Sequence, residues 1–133
     1  MRRCIRAFEA QDADGVASFF ASGVVVRLEG AVPMAGRTAI RKALVQFFLS
    51  VDGIRQEEIA FWSSGDFFVV DTDVTLTLAS GTTLAFPVTC SMRWRDGLIQ
   101  EAIIHMYLES RLALAMARFD RIRGAVRGLR KLA

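Results

Sequence analysis

Three side chains near the carboxyl end of the sequence have the chemistry of a proton-transfer site. His105 is the only histidine and Tyr107 the only tyrosine, and Glu101 precedes both on the same stretch. In a β-strand these three residues share one face, because alternate side chains point to the same side. An unperturbed imidazole titrates near pH ~6.5 and can act as a general base, and a phenol can donate to a developing oxyanion. The spacing predicts His105 as base, Tyr107 as oxyanion donor and Glu101 as auxiliary acid.

Each of these residues also fits a purely structural role. His105 and Tyr107 are compatible with core positions whose polar atoms are hydrogen-bonded, and Glu101 is compatible with a solvated rim of the sheet. Glu101 lies four strand residues from His105, which is roughly 13 Å at ~3.3 Å per residue. A direct His–Glu dyad is therefore not expected.

Other common kinds of site find no support in the sequence. The two cysteines, Cys4 and Cys90, are too few for a disulfide framework or a four-ligand zinc site. No basic residue adjoins Cys90 in its strand, so a nucleophilic thiolate is not expected. The sequence lacks a glycine-rich phosphate loop, a nucleophile elbow and a dinucleotide fingerprint. We expect neither a metal ion nor another cofactor.

A set of mostly apolar residues is predicted to line a ligand pocket beside these three. Each of them is also compatible with ordinary core packing. The set comprises Met34, Trp62, Thr72, Val88, Cys90, Met92 and Trp94.

Three long β-runs in the second half of the chain are expected to position the site. They cover residues 67–79, 83–95 and 98–109, with loops at 80–82 and 96–97. Asp-Gly at 96–97 is a strong two-residue hairpin signal, because both central positions of such a turn favour positive φ. Across the 96–97 turn, the predicted register pairs Trp94 with Ile99, Met92 with Glu101, Cys90 with Ile103 and Val88 with His105. Across the 80–82 loop, it pairs Leu76 with Phe86 and Thr72 with Cys90.

The first half of the chain predicts helices and two further strands. Apolar residues recur at helical spacing over 2–11 and 38–49, and a short helix is expected to begin near Asp12. Residues 24–29 and 54–62 are predicted to be strands.

Positive charge is concentrated at the carboxyl end. From residue 111 onward, seven basic side chains stand against one acidic, so this segment carries +6 and the rest −3 of the formal total of +3. Apolar residues within it recur every three or four positions, which predicts a basic amphipathic helix over 111–133. Such a helix can contact an anionic membrane or an acidic partner. We favour packing on its own sheet or on a second subunit, since an exposed apolar stripe invites aggregation.

The order of these elements resembles one known family. The resemblance rests on Phe19-Phe20-Ala21-Ser22 leading into Val24-Val25-Val26-Arg27-Leu28, on Gly36-Arg37-Thr38-Ala39-Ile40 at the third helix, and on Asp96-Gly97-Leu98-Ile99-Gln100-Glu101 at the last strand. Over about residues 5–109 the chain resembles the SnoaL-like branch of the nuclear-transport-factor-2-like superfamily. This resemblance implies an α+β cone, with helices inside a curved antiparallel sheet, an apolar interior pocket and a homodimer formed through the sheet.

Composition and resemblance together lead to a prediction of function. Hydrophobic residues make up 53% of 133 residues and charged residues 23%, which excludes a disordered chain. We expect one cone over 1–110, extended by the helix over 111–133, that binds a small hydrophobic molecule. If the protein is an enzyme, the expected chemistry is cofactor-free proton transfer of the isomerase, cyclase or dehydratase type. The alternative is a non-catalytic ligand-binding or protein-interaction module of the same fold. Nucleic-acid binding is not expected, and with no signal peptide or membrane span in the sequence we expect a cytoplasmic location.

Overall fold

Helices and a single sheet make up the part of the chain that the computed structural model describes, residues 1–29 and 31–106. The α+β class predicted from the sequence is confirmed. In chain order the elements are α1 (Arg2–Glu9), α2 (Ala13–Ala17), β1 (Phe20–Leu28), β2 (Met34–Ala35), α3 (Arg37–Ser50), β3 (Gly53–Ser64), β4 (Phe67–Thr77), β5 (Thr83–Arg95) and β6 (Leu98–Met106).

The strands form one six-stranded sheet in the order β2-β1-β6-β5-β4-β3. β1 runs parallel to β6, and the other neighbours are antiparallel. Asp96 and Gly97 both have positive φ, at 55° and 74°, and they join β5 to β6 with Trp94 opposite Ile99. The two-residue hairpin and its first pairing are therefore confirmed.

Local signals explain where the helices begin. The Asp12 side chain accepts a hydrogen bond from the Gly15 backbone N–H at 2.9 Å and caps α2, which is the role predicted for it. α3 begins after Gly36, whose φ of 94° is a conformation that glycine adopts without steric cost. The short helix ends at Ala17, and β1 begins at Phe20, before the strand predicted over 24–29.

The helices cover one face of the sheet, which we call the inner face, and the opposite side is the outer face. Burial alternates along β4, as expected for a strand with one covered face. Val16 of α2, Ile40 and Phe48 of α3 belong to the buried core together with inner-face residues such as Leu76 and Ile99. On β4 the inner face comprises Phe68, Val70, Thr72, Val74 and Leu76, and the outer face comprises Phe67, Val69, Asp71, Asp73 and Thr75.

A β-bulge reverses the predicted face of most of β6. Trp94 pairs with Ile99 but Arg93 pairs with Glu101, so Gln100 is an extra residue without a partner on β5. The predicted pairs of Glu101 with Met92 and of His105 with Val88 are therefore wrong. Glu101 pairs with Arg93, His105 pairs with Thr89, and both lie on the outer face.

The physical reason for this bulge is the cost of burying charge. Without the extra residue, Glu101 and His105 would face the core, where an ionised group without a partner is strongly destabilising. With it, Ala102 becomes buried and Ile104 packs against the core.

The β4–β5 register is shifted by two residues from the predicted one. Leu76 pairs with Leu84 and Thr72 with Val88, because the loop spans 78–82 and is closed by a hydrogen bond from the Leu78 N–H to the Thr82 carbonyl. An even shift leaves each side chain on its predicted face. The prediction that Thr72 faces the inner side therefore stands, although its partner was wrong.

Several predictions fall outside the described residues. Tyr107 and the basic segment 111–133 are among them, so the oxyanion donor and the carboxyl-terminal helix stay predictions. Among the described residues, no helix combines the length and the apolarity that a membrane crossing needs.

Candidate functional site

An open groove on the inner face, at the end of the β3–β4 hairpin, is the candidate binding site. Its volume is about 240 Å³. This is below the ~300–1,000 Å³ of typical pockets for drug-sized ligands, so the groove suits a small molecule. Its lining comprises Met1, Phe61, Ser63, Gly65, Asp66, Phe67, Phe68 and Trp94.

Three aromatic rings form a row across β3, β4 and β5 in this groove. The ring centroids of Phe61 and Phe68 are 5.6 Å apart with an interplanar angle of 31°, and those of Phe68 and Trp94 are 5.3 Å apart at 38°. These separations are within the range of favourable aromatic pairs. Phe68 is only 7% exposed, whereas Phe61 is 47% exposed. The row therefore has a buried centre and an accessible flank.

A two-residue turn holds the open end of the row. Gly65 and Asp66 connect β3 to β4, and Gly65 has a φ of 61°, which a glycine adopts at little cost. The Trp94 backbone N–H donates to the Asp66 carbonyl at 2.7 Å, so the turn is fastened to β5. The turn that carries Asp66 is thus hydrogen-bonded to the strand that carries Trp94.

Two polar features distinguish this groove from plain core. The indole Nε1 of Trp94 is buried and has no hydrogen-bond partner within residues 1–29 and 31–106. Among the described residues that line the groove, Asp66 is the one with an acidic side chain, and none is a lysine, arginine or histidine. The site therefore offers ring surface, one unused donor and one carboxylate.

Deeper in the interior, two polar side chains are hydrogen-bonded to each other and the two cysteine thiols are kept uncharged by burial. Gln56 Nε2 donates to Thr72 Oγ1 at 3.1 Å. Burial raises the pKa of the Cys90 thiol to about 12, and the nearby Cys4 and Asp71 add to the shift. Burial also raises the pKa of Cys4. Both thiols are therefore kept protonated, which agrees with the expectation that Cys90 is no nucleophile.

His105 and Glu101 lie on the outer face, away from the aromatic groove. His105 Nδ1 is 3.6 Å from Glu29 Oε2, and its side chain is 44% exposed. Glu101 Oε2 is 3.5 Å from Arg93 Nε, with both side chains about half exposed. The structure therefore does not bring the predicted base and acid together over an interior pocket.

Of the predicted pocket walls, Trp94 lines the aromatic groove. Thr72, Val88 and Met92 are buried, Cys90 and Met34 are partly buried, and all five belong to the packed interior. Trp62 is 55% exposed and pairs with Val69, on the outer face. The expectation that Trp62 faces the pocket is wrong, because a bulge at Ile59 turns Phe61 inward in its place.

Sequence reasoning missed Phe61, Phe68 and Asp66. A signal for Phe68 was present, since it alternates with Val70 and Thr72 on the predicted inner face. Phe61 could not be found in this way, because the bulge at Ile59 interrupts the alternation.

The outer face carries a second, smaller cleft and several exposed apolar side chains. The cleft has a volume of about 100 Å³ and is lined in part by Val25, Phe67 and Ile103, next to Arg93 and Glu101. Phe67 and Ile103 are each 40% exposed. This face is thus more apolar than a fully solvated sheet surface.

The described residues offer no metal centre. Within residues 1–29 and 31–106, no three histidine, cysteine, aspartate or glutamate side chains are grouped so that they could hold a metal ion.

A family sequence model described as the SnoaL-like domain matches residues 1–102 of the chain. No curated protein sequence matches the sequence of this chain.

Solved structures of similar fold are numerous. A hypothetical protein with a ketosteroid isomerase-like fold from Catenulispora acidiphila, in complex with trimethylamine, has a TM-score of 0.76 and 17% identity over 84% of this chain and 88% of that chain. An LEH-like epoxide hydrolase from M. tuberculosis has a TM-score of 0.70 and 18% identity over 98% and 90%. AclR, a putative hydroxylase from Streptomyces galilaeus, has a TM-score of 0.73 and 14% identity over 88% and 92%. At these identities the likeness establishes the cone fold alone.

Proposed function

The chain belongs to the SnoaL-like domain family, and from that premise we propose that it binds a small hydrophobic molecule in the aromatic groove. The observation that carries this proposal is the row formed by Phe61, Phe68 and Trp94. Aromatic rings contribute a large apolar surface and prefer stacked or edge contacts with other rings. A groove with such a row and few polar groups is the usual form of a small-molecule site.

Binding without catalysis is the better supported form of this proposal. The catalytic form assigns proton transfer to His105, Tyr107 and Glu101. A general base must come within hydrogen-bond reach of the proton that it removes. His105 and Glu101 are on the opposite face from the groove, so neither can reach a ligand bound among the rings. Neighbours of this fold include an epoxide hydrolase, but that activity belongs to that protein.

A homodimer through the outer face is part of the proposal. Trp62, Phe67 and Ile103 are exposed there, and a second copy would remove their apolar surface from water. The shallow cleft beside Ile103 offers a place for a side chain of that copy.

We also propose that the protein resides in the cytoplasm. Cys4 and Cys90 are free thiols in the structure, which suits a reducing compartment.

The proposed binding can be tested with 2-naphthol as a neutral aromatic probe. The chain has two tryptophans, so its two indole N–H signals in an NMR spectrum are assigned by the variant Trp62→Phe. We expect 2-naphthol to shift the Trp94 indole signal in a saturable manner, and Phe61→Ala to weaken this binding. Phe61 is half exposed, so the variant is expected to fold. Ile59→Ala, an exposed residue of the same strand outside the groove, is the matched control. An unchanged Trp94 signal up to the solubility limit of 2-naphthol would overturn the proposal.

A further inference from the structure

We propose that the aromatic groove selects a small alkylammonium ion, held by the ring surfaces of Phe61, Phe68 and Trp94 and by the carboxylate of Asp66. This inference rests on the proposed function and adds a charge to the ligand. It uses features of the groove that a neutral hydrophobic molecule would leave unused.

The first feature is the ring row. A cation within ~6 Å of an aromatic centroid is attracted by the negative face of the ring, and tryptophan is the strongest partner. The centroid of Phe68 is 5.6 Å from that of Phe61 and 5.3 Å from that of Trp94. A cation held at the accessible flank, beside Phe61, is therefore close to Phe68 as well. An alkylated ammonium also removes apolar surface from water on the same rings.

The second feature is the balance of charge. Within the part of the chain that the structure describes, Asp66 is the one lining residue with a charged side chain. The Asp66 carbonyl accepts the Trp94 backbone N–H at 2.7 Å, and this ties the turn that carries Asp66 to the strand of Trp94 at the groove. An anionic ligand is repelled by this carboxylate and a neutral ligand gains nothing from it. A cation is attracted.

The size of the groove limits the ion to a small one. A volume of about 240 Å³ accommodates a trialkyl- or tetraalkylammonium group rather than a drug-sized amine.

The test compares choline with 3,3-dimethylbutan-1-ol, which has the same shape and no charge. Both are titrated into the Trp62→Phe protein, in which Trp94 is the only tryptophan and reports binding by its fluorescence. We expect choline to bind about threefold to tenfold more tightly than the neutral alcohol, as cation–π attraction predicts. Equal or weaker binding of choline would overturn the inference. If choline fails while 2-naphthol binds, the inference falls and the proposed function stands; if 2-naphthol also fails, both fall.

A pair of charge variants tests the part assigned to Asp66. Asp66→Asn removes the carboxylate and keeps a residue that suits a tight turn. We expect this variant to weaken choline binding about fourfold at low salt, with no change for 3,3-dimethylbutan-1-ol. Asp73→Asn on the outer face removes the same charge at a distance and is expected to change neither. An unchanged affinity for choline in Asp66→Asn, or an equal loss in Asp73→Asn, would overturn the role of this carboxylate.

Discussion

His105 of β6 lies directly opposite Thr89 of β5 on the outer face of the sheet. The Thr89 hydroxyl donates to Asp71 Oδ1 at 2.6 Å, and His105 Nδ1 is 3.6 Å from Glu29 Oε2. Asp71, Thr89 and His105 form a polar row across β4, β5 and β6, and Glu29, just after the end of β1, extends it. The row occupies the side of the sheet that α1, α2 and α3 leave uncovered.

Replacing His105 should therefore leave ligand binding in the groove unchanged. In His105→Gln we expect 2-naphthol to shift the Trp94 indole signal with the same affinity as in the unmodified protein. The reason is that the imidazole is on the opposite face from the rings. A loss of binding in a variant that still unfolds cooperatively would show that the site includes β6 after all.

The β-bulge at Gln100, which turns His105 to the outer face, marks the limit of what the sequence could predict. Asp96-Gly97 predicted the turn and the pairing of Trp94 with Ile99 correctly, since turn geometry is a local property. The extra residue at Gln100 follows from the preference for Ala102 over Glu101 in the core, which depends on the helices packed against the sheet. Assigning faces to alternate residues, counted from the turn, assumes a regular strand and so cannot predict this extra residue.

The bulge at Ile59 limits the site prediction in the same way. It places Trp62 on the outer face, the reverse of its predicted position, and turns Phe61 to the inner face. Trp94, which lies between the turn and the Gln100 bulge, kept its predicted face and is the pocket residue that the sequence found. The alternation of apolar residues was therefore enough to predict the core. The residues that line the groove could not be predicted without knowing where the two bulges lie.

The stability of the fold should depend on the inner face of β6. Ile99 is 1% exposed, and Ile99→Ala removes buried methyl and methylene groups. We expect the free energy of unfolding to fall by ~2–5 kcal/mol, measured by urea denaturation. Ile59→Ala, the same change at an exposed position, should alter it by less than ~0.5 kcal/mol. Similar losses in the two variants would contradict the assignment of the two positions.

The cysteines should be unreactive in the folded protein. In Cys4→Ala, Cys90 is the only thiol, and burial, the largest cause of its raised pKa, is retained, so little thiolate is expected at pH 8. We expect labelling by a disulfide reagent to be at least about tenfold slower than in denaturant. Because the raised pKa favours the neutral thiol in the folded state, this stabilising contribution is complete below pH 9.0 and declines as the pH rises towards 12. Labelling at the rate of the unfolded chain would contradict the burial of Cys90.

A charge on the outer face should dissociate the proposed homodimer. Ile103→Lys places an ammonium in the apolar surface beside Phe67, where burial of a charge without a partner is costly. We expect a monomer by sedimentation equilibrium, with retained binding in the groove. Val32→Lys changes a loop residue that is 86% exposed and should leave the dimer intact. A dimer of unchanged strength in Ile103→Lys would place the subunit contact elsewhere.

The most direct test of the binding groove is the measurement of nuclear Overhauser contacts between bound 2-naphthol and the protein. We predict contacts from the ligand to the ring protons of Phe61, Phe68 and Trp94, and none to those of Trp62 or His105. Contacts to the outer-face residues, or no contacts to the three rings of the groove, would contradict the account.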